Sequence, residues 1–428
     1  MKTAAKGLTL FMSLLGGAAL AAEGPVPANI PRLDHVFLII MENHGYDQIV
    51  GNPNAPFINT YAKRANSATN YFAVGHPSLT NYLEIVGGSN FGNLSDNYPD
   101  WHSVACQPNL KTGVVQTDNP ATGVICPIHG SGADAAVTLF DATNEVEPPA
   151  TSVTNIDGIH SIPVAKNISG KTIADQLVAA GRTWKSYQEN LPLSGADGVN
   201  VSDGVYTNKT DFTQIKPALT PPLTSSSLVY LYAVKHNPFA YFKNIQDGAN
   251  SKLSLAQIAD FDGPHGLYAD LGSGEVPSFS LIAPNQCNDQ HGRGNAGAFC
   301  NYDPSDKGTQ DGLNPALIYR GDVEVERLVK TIHKSTSWRE GRNAIVVVWD
   351  ENDYSATPNV NKVLLIVETN YGVRHHTNTA FNTHFSLLKT IEGGFGLPCL
   401  NHACDPGVLV LSDLFAVSHD WDHDGDND

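Results

Sequence analysis

The sequence predicts an α/β fold, a three-layer sandwich with a mostly parallel central sheet and long loop insertions. Three observations carry this reading. Asp34–Met41 (DHVFLIIM), Ser278–Ala283, Ala344–Trp349 (AIVVVW) and Val363–Val367 are short, largely apolar runs bounded by polar residues, the pattern of strands buried on both faces in a parallel sheet. Helical patterns lie between them, and strands alternating with helices indicate α/β layers. The connections are rich in Gly, Pro, Asn, Asp and Ser, in a chain with 38 Gly and 26 Pro among 428 residues.

Taken in order, Lys2 and Lys6 precede an apolar run, Leu8–Leu20, interrupted by Ser13, Gly16 and Gly17 and closed by small residues around Ala19-Leu20-Ala21. That is the layout of a secretory signal peptide, so residues 1–21 are expected to be removed and the protein to be secreted or periplasmic. No later run is long and apolar enough to cross a bilayer. The 34–41 strand follows. Pro77 and Ser78 suit a helix start, with Leu79, Leu83 and Val86 at helical spacing and Gly87-Gly88 as a stop. Lys171–Gly181 reads as a helix closed by Gly181, and Thr183–Tyr187 as a short strand. Over Asp322–Ser335, Val325, Leu328, Val329 and Ile332 recur at i, i+3, i+4 and i+7. Asn382–Ser386 opens a last helix through Leu387, Leu388 and Ile391. Loop insertions are expected near 90–168, 190–225 and 284–315 of one domain spanning 22–415, with an acidic tail at 416–428.

The net charge of −17 repels nucleic acid. Six cysteines suit an oxidising compartment and fall into local pairs, Cys106 with Cys126, Cys287 with Cys300 and Cys399 with Cys404. G-x-S-x-G, H-E-x-x-H and C-x-P-x-R are all missing, which removes the ordinary α/β-hydrolase serine, the zincin helix and the sulfatase-type cysteine.

Two strands run directly into acids: 34–41 into Glu42-Asn43, and 344–349 into Asp350-Glu351. In an open parallel sheet such residues gather at one edge, where ligands bind. Clustered carboxylates repel unless a cation or protons intervene, and a divalent metal ion is the natural partner. Ser78, at a helix start, sits where backbone N–H groups favour a phosphate, and a nearby cation would lower its pKa and make it a nucleophile. Asp289 and His291, after strand 278–283, belong to the same edge. His384 opens the last helix, where a protonated imidazole is electrostatically unfavourable, hinting at a ligand or hydrogen-bond role.

These segments resemble, in order, motifs of the phosphoesterase family: ENHGYD, HPSLTNYLEIVGG, WKSYQENLP (184–192), KHNPFAYF (235–242), PNQCNDQHG, VVVWDEND and THFSLLKTIEGGFGLP. That family contains secreted acid phosphatases and phospholipases C, and the resemblance runs from about 33 to 400. It implies an alkaline-phosphatase-like fold and a hydroxyl nucleophile that forms a phosphoryl-enzyme. By this resemblance Ser78 is the nucleophile, although Thr80, where many relatives have Pro, adds a second hydroxyl. Asn81 and His76 are the substrate contacts, and Glu42, Asn43, Asp350 and Glu351 are the metal ligands. Asp289, His291 and His384 surround the phosphate, with His291 or His384 helping to protonate the leaving oxygen. The implied activity is metal-assisted phosphoric ester hydrolysis of acid-phosphatase type, on a small phosphomonoester. Cleavage of a phospholipid head group by a phospholipase C, and a non-catalytic phosphate- or metal-binding protein, are the alternatives.

Overall fold

A computed structural model describes residues 23–91, 168–191, 231–246, 248–292, 315–352 and 361–417. The expected signal-peptide segment, most of the three expected insertions, Cys106, Cys126, Cys300 and nearly all of the expected acidic tail lie outside the described residues. The strands are β1 (His35–Met41), β2 (Asn66–Phe72), β3 (Trp184–Gln188), β4 (Ile258–Ala259), β5 (Phe279–Ala283), β6 (Asn343–Trp349), β7 (Lys362–Thr369), β8 (Thr377–Asn378) and β9 (Asn382–Thr383). They form one sheet in the order β4-β3-β5-β1-β6-β7-β2-β8, with β9 also on β2. The pairs β4–β3, β3–β5, β5–β1 and β1–β6 are parallel, as are β8 and β9 with β2. The mixed, mostly parallel sheet expected from the apolar runs is present.

One strand departs from that expectation. β7, which contains the 363–367 run, is antiparallel to both β6 and β2. A run buried on both faces is apolar whichever way it points, so its composition holds no information about direction.

Among the described residues the helices are α1 (Tyr46–Ile49), α2 (Pro56–Arg64), α3 (Ser78–Gly87), α4 (Ile173–Ala179), α5 (Lys243–Gln246), α6 (Leu267–Ser273), α7 (Pro315–Lys334), α8 (Thr336–Arg339) and α9 (His384–Phe395). Every residue of β6, and all but the first of β1, is buried. Because alternate residues of a strand face opposite ways, both sheet faces are therefore covered. α3 is buried along its whole length, packs on α9, and ends at Gly88 with φ 69°. Only a residue tolerant of the left-handed region closes a helix in that way. α7 begins seven residues before the predicted start at Asp322, because Pro315 suits the first turn and Leu317 and Ile318 extend the buried stripe. Thr172 caps α4, accepting the Ala174 N–H at 3.2 Å. Cys399 and Cys404 form the expected disulfide, with Cα atoms 5.3 Å apart. Cys287 is also disulfide-bonded. No helix of the described residues is long and apolar enough to cross a membrane.

Glu392 on α9 is fully buried, and burial pushes its carboxyl well above the usual range, with the Leu400 amide and Lys389 offsetting part of the shift. A carboxyl raised in the folded state contributes its stability below the unfolded pKa and loses it as pH rises through the folded value. Glu392→Gln is therefore expected to exceed the parent in denaturant stability by on the order of 1 kcal/mol above pH 7, with the gap closing below about pH 4. Urea melts at several pH values check both the sign and the window.

Candidate active site

The sheet register builds the site. Met41 pairs with Trp349, so Glu42 and Asp350 leave neighbouring parallel strands side by side. The Asp350 N–H donates to the Met41 carbonyl at 2.9 Å, and the Asn43 N–H donates to Asp350 Oδ1 at 3.1 Å. Asn43 turns the chain through a φ of 45°, a region Asn enters more readily than most residues. The loop after β5 returns alongside, where the Asp289 carbonyl accepts the Glu42 N–H at 2.8 Å.

Ser78 is the first residue of α3. Its Oγ lies 3.0 Å from Glu42 Oε2 and 3.3 Å from Glu351 Oε1, so the hydroxyl is held between two carboxylates. The two residues expected to meet substrate are both turned onto Glu351. His76 Nδ1 is 2.7 Å from Glu351 Oε2, and its Nε2 is 3.0 Å from Asn352 Oδ1. Asn81 donates to Glu351 Oε2 at 3.1 Å and to the Gly75 carbonyl at 2.8 Å, while its Oδ1 accepts the Val74 and Gly75 N–H groups. Here His76 and Asn81 orient the carboxylate that holds Ser78.

His236, which sequence reasoning passed over, completes the centre from a 3-10 turn at Val234–His236. Its Nε2 is 3.2 Å from Glu42 Oε1, and its Nδ1 is 3.2 Å from Asp289 Oδ2. Its ring stacks on Tyr82, one turn after Ser78 on α3, at 5.3 Å and 10°. The signal was a Lys-His pair inside the apolar segment KHNPFAYF. Asp289 therefore meets His236, while its Oδ1 accepts the His291 N–H at 2.7 Å. His291 Nε2 takes a hydrogen bond from Lys235 Nζ at 3.1 Å, and its Nδ1 faces the Gly292 carbonyl at 3.3 Å. His384 has both ring nitrogens engaged, Nε2 donating to the Asp350 carbonyl at 2.6 Å and Nδ1 accepting from the Tyr71 hydroxyl at 2.9 Å. It braces the turn after β6.

Among the described residues, Glu42, His236 and His291 each offer a ligand atom within 4.8 Å of the others. Asn43 Oδ1 and Asp350 Oδ2 are buried without hydrogen-bond partners, and Glu42 Oε1, His236 Nε2 and Asp289 Oδ2 meet in ion-pair contacts at 3.2 Å that lack hydrogen-bond geometry. Such atoms are costly unless something satisfies them, and a cation does. The residues fit a divalent ion. The expected set of Glu42, Asn43, Asp350 and Glu351 is thus modified: Glu42 and Asp350 leave neighbouring strands with the Asn43 N–H on Asp350, Glu351 is committed to Ser78, His76 and Asn81, and imidazoles join Glu42. Carboxylate, amide and imidazole donors together suit a borderline ion, with Asp289 behind His236 as an orienting carboxylate.

Electrostatics agree with this reading. Burial pushes Glu42, Asp289 and Asp350 well above the usual carboxyl range; the next cause for Glu42 is Asp350, for Asp289 is Glu42, and for Asp350 is Glu351. Burial, then the Lys235 ammonium, holds His236 and His291 well below the usual imidazole range. Burial brings His384 down to about 4. A neutral His236 keeps a lone pair for a cation, whereas the Nε2 lone pair of His291 is engaged by Lys235.

A second network fixes the loop behind the centre. Glu189, just after β3, accepts from the Asn285 N–H at 3.0 Å, from Asn288 Nδ2 at 2.9 and 3.1 Å, and from Arg327 of α7 at 3.0 Å. It thereby anchors the segment that carries Asp289 and His291. Glu189→Gln is expected to weaken divalent-cation binding by about tenfold or more, and His236→Asn by a larger factor. Calorimetric titration of chelator-stripped protein measures both, and unchanged affinities would contradict the assignment.

Fold and site together define an enzyme whose carboxylate- and histidine-lined centre lies at the carboxyl edge of a parallel sheet. Residues 52–398 match the phosphoesterase family, and the chain belongs to it; it is a phosphoric ester hydrolase. It is similar to a phosphatidylinositol-3-phosphatase of Mycobacterium tuberculosis, 24% identical over 398 residues that cover 92% of this chain and 87% of that one. A probable acid phosphatase of Kluyveromyces lactis is 24% identical over 380 residues, 88% of this chain but 61% of the relative, so the chain spans about three-fifths of that protein's length. Among solved structures, a protein in the alkaline phosphatase superfamily from Vibrio parahaemolyticus overlaps 91% of this chain and 74% of its own, at 11% identity and a TM-score of 0.44.

Proposed function

We propose that this chain is a phosphomonoesterase of acid-phosphatase type that works through a phosphoserine at Ser78. The observation that carries the reading is the Ser78 hydroxyl held between Glu42 and Glu351 at the start of a ten-residue buried helix. Helix N-termini attract phosphate through their N–H groups and dipole. A divalent ion held by Glu42 and His236, with His291, Asn43 and Asp350 beside them, would supply positive charge for the phosphoryl oxygens and the developing alkoxide. Glu42 and Glu351 orient the hydroxyl and take its proton as Oγ bonds to phosphorus. The P–O bond to the alcohol breaks, and that proton leaves with the alcohol. Water then attacks the phosphoserine, the Oγ–P bond breaks, phosphate departs and Ser78 regains a proton.

Ser78 is 1% exposed, so reaction requires an opening above the helix N-terminus. The relatives described above are named as phosphatases, which favours a monoester over the diester of a phospholipase C. The N-terminal pattern of Lys2, Lys6 and Leu8–Leu20 supports action outside the cytoplasm.

Ser78→Ala is expected to lower hydrolysis of p-nitrophenyl phosphate by about 10⁴-fold or more. Acid-quenched parent enzyme should show phosphate on the Ser78 peptide by mass spectrometry. Retained turnover in the variant, or a label on another residue, would overturn the mechanism. Faster turnover of bis(p-nitrophenyl) phosphate or phosphatidylcholine than of the monoester would favour the phospholipase C reading.

A further inference from the structure

Lys235 lies inside the site, and the mechanism above does not use it. It precedes His236 on the same 3-10 turn, is 2% exposed, and donates to His291 Nε2 at 3.1 Å. A buried lysine is rare unless its charge is matched. Its chain neighbour His236 lies 3.2 Å from the buried carboxylates of both Glu42 and Asp289, Asp350 follows the strand next to Glu42, and Glu351 shares the Ser78 hydroxyl with Glu42. The ammonium favours ionisation of Glu42, Asp289 and Asp350 and disfavours protonation of His236 and His291, so its charge reaches all five groups.

The charge balance shows what that position does. Four carboxylates can carry four negative charges, and one divalent ion offsets two. A phosphomonoester brings up to two more into the same poorly solvated space. Like charges at a few ångströms are strongly unfavourable there. Lysine answers this as a compact point charge with three donors.

We infer that Lys235 is the resident counter-charge of the site, a positioning residue whose ammonium admits the phosphate anion among the buried carboxylates and holds His291 in place. This rests on the phosphoesterase reading of the same centre. It goes further by giving the second positive charge to the chain itself. Lys235 then acts with opposite sign on the two ligands, favouring the anion and repelling the metal ion.

That opposition is the test. Inorganic phosphate and, separately, Mn²⁺ are titrated by calorimetry into full-length parent, Lys235→Met, Lys235→Gln and Lys235→Arg proteins, with folding checked by circular dichroism. Both neutral variants are expected to bind phosphate about tenfold or more weakly, a change of about 1.4 kcal/mol, and Mn²⁺ more tightly than the parent does. Lys235→Arg, which keeps the charge, should stay near the parent for both ligands and serves as the reference should the methionine variant fail to fold. A loss of affinity for both ligands in the neutral variants would reduce Lys235 to a structural role and overturn the inference. So would unchanged affinities. If the parent itself binds no phosphate, the phosphoesterase mechanism falls together with the inference; if it binds phosphate and the neutral variants bind it equally well, only the inference falls.

Discussion

Glu42 leaves β1 with one carboxylate oxygen 3.0 Å from the Ser78 hydroxyl and the other 3.2 Å from His236 Nε2, joining the nucleophile to the imidazoles. The remaining arrangement depends on this shared carboxylate. Its place follows from the pairing of Met41 with Trp349, which brings Glu42 out beside Asp350. A slip of one residue would turn each side chain to the opposite sheet face and break the centre apart. Close packing of the β1 and β6 side chains against both covering layers resists such a slip. Core packing and site geometry are thus one constraint.

Burial explains why the centre suits a cation. Glu42, Asp289, Asp350 and Glu351 are all at most 2% exposed, and isolated charges in such surroundings are strongly disfavoured. Three of them are displaced toward the protonated form, while the histidines are displaced toward the neutral form. A site in this condition gains by taking up positive charge. Supporting groups then determine where each donor points: Tyr82 under the His236 ring, His76 and Asn81 on Glu351, and Glu189 behind the 285–291 loop.

Much of this was legible in the sequence, for identifiable reasons. Glu42-Asn43 and Asp350-Glu351 directly follow apolar runs, and topology obliges the ends of parallel strands to meet. Ser78 was legible as a helix start from Pro77 before it and the Gly87-Gly88 stop behind it, while its expected role came from the resemblance of HPSLTNY to the family motif. β2 was not, because Asn66–Phe72 is half polar and lacks an apolar run. Nor was the direction of β7, which burial does not encode. His236 was hidden because a short 3-10 turn leaves no periodic signal, and only its neighbours across the fold reveal its use. His384 was found as a helix-opening residue, but its purpose is set by the Asp350 carbonyl and the Tyr71 hydroxyl, contacts that no local pattern contains.

The shared carboxylate is tested most directly by anomalous scattering from crystals of the protein grown with Zn²⁺. The account predicts a peak about 2.0–2.2 Å from Glu42 Oε1 and His236 Nε2, with Glu42 Oε2 still beside Ser78. An ion bound elsewhere, or one that leaves Glu42 turned away from either Ser78 or His236, would contradict it.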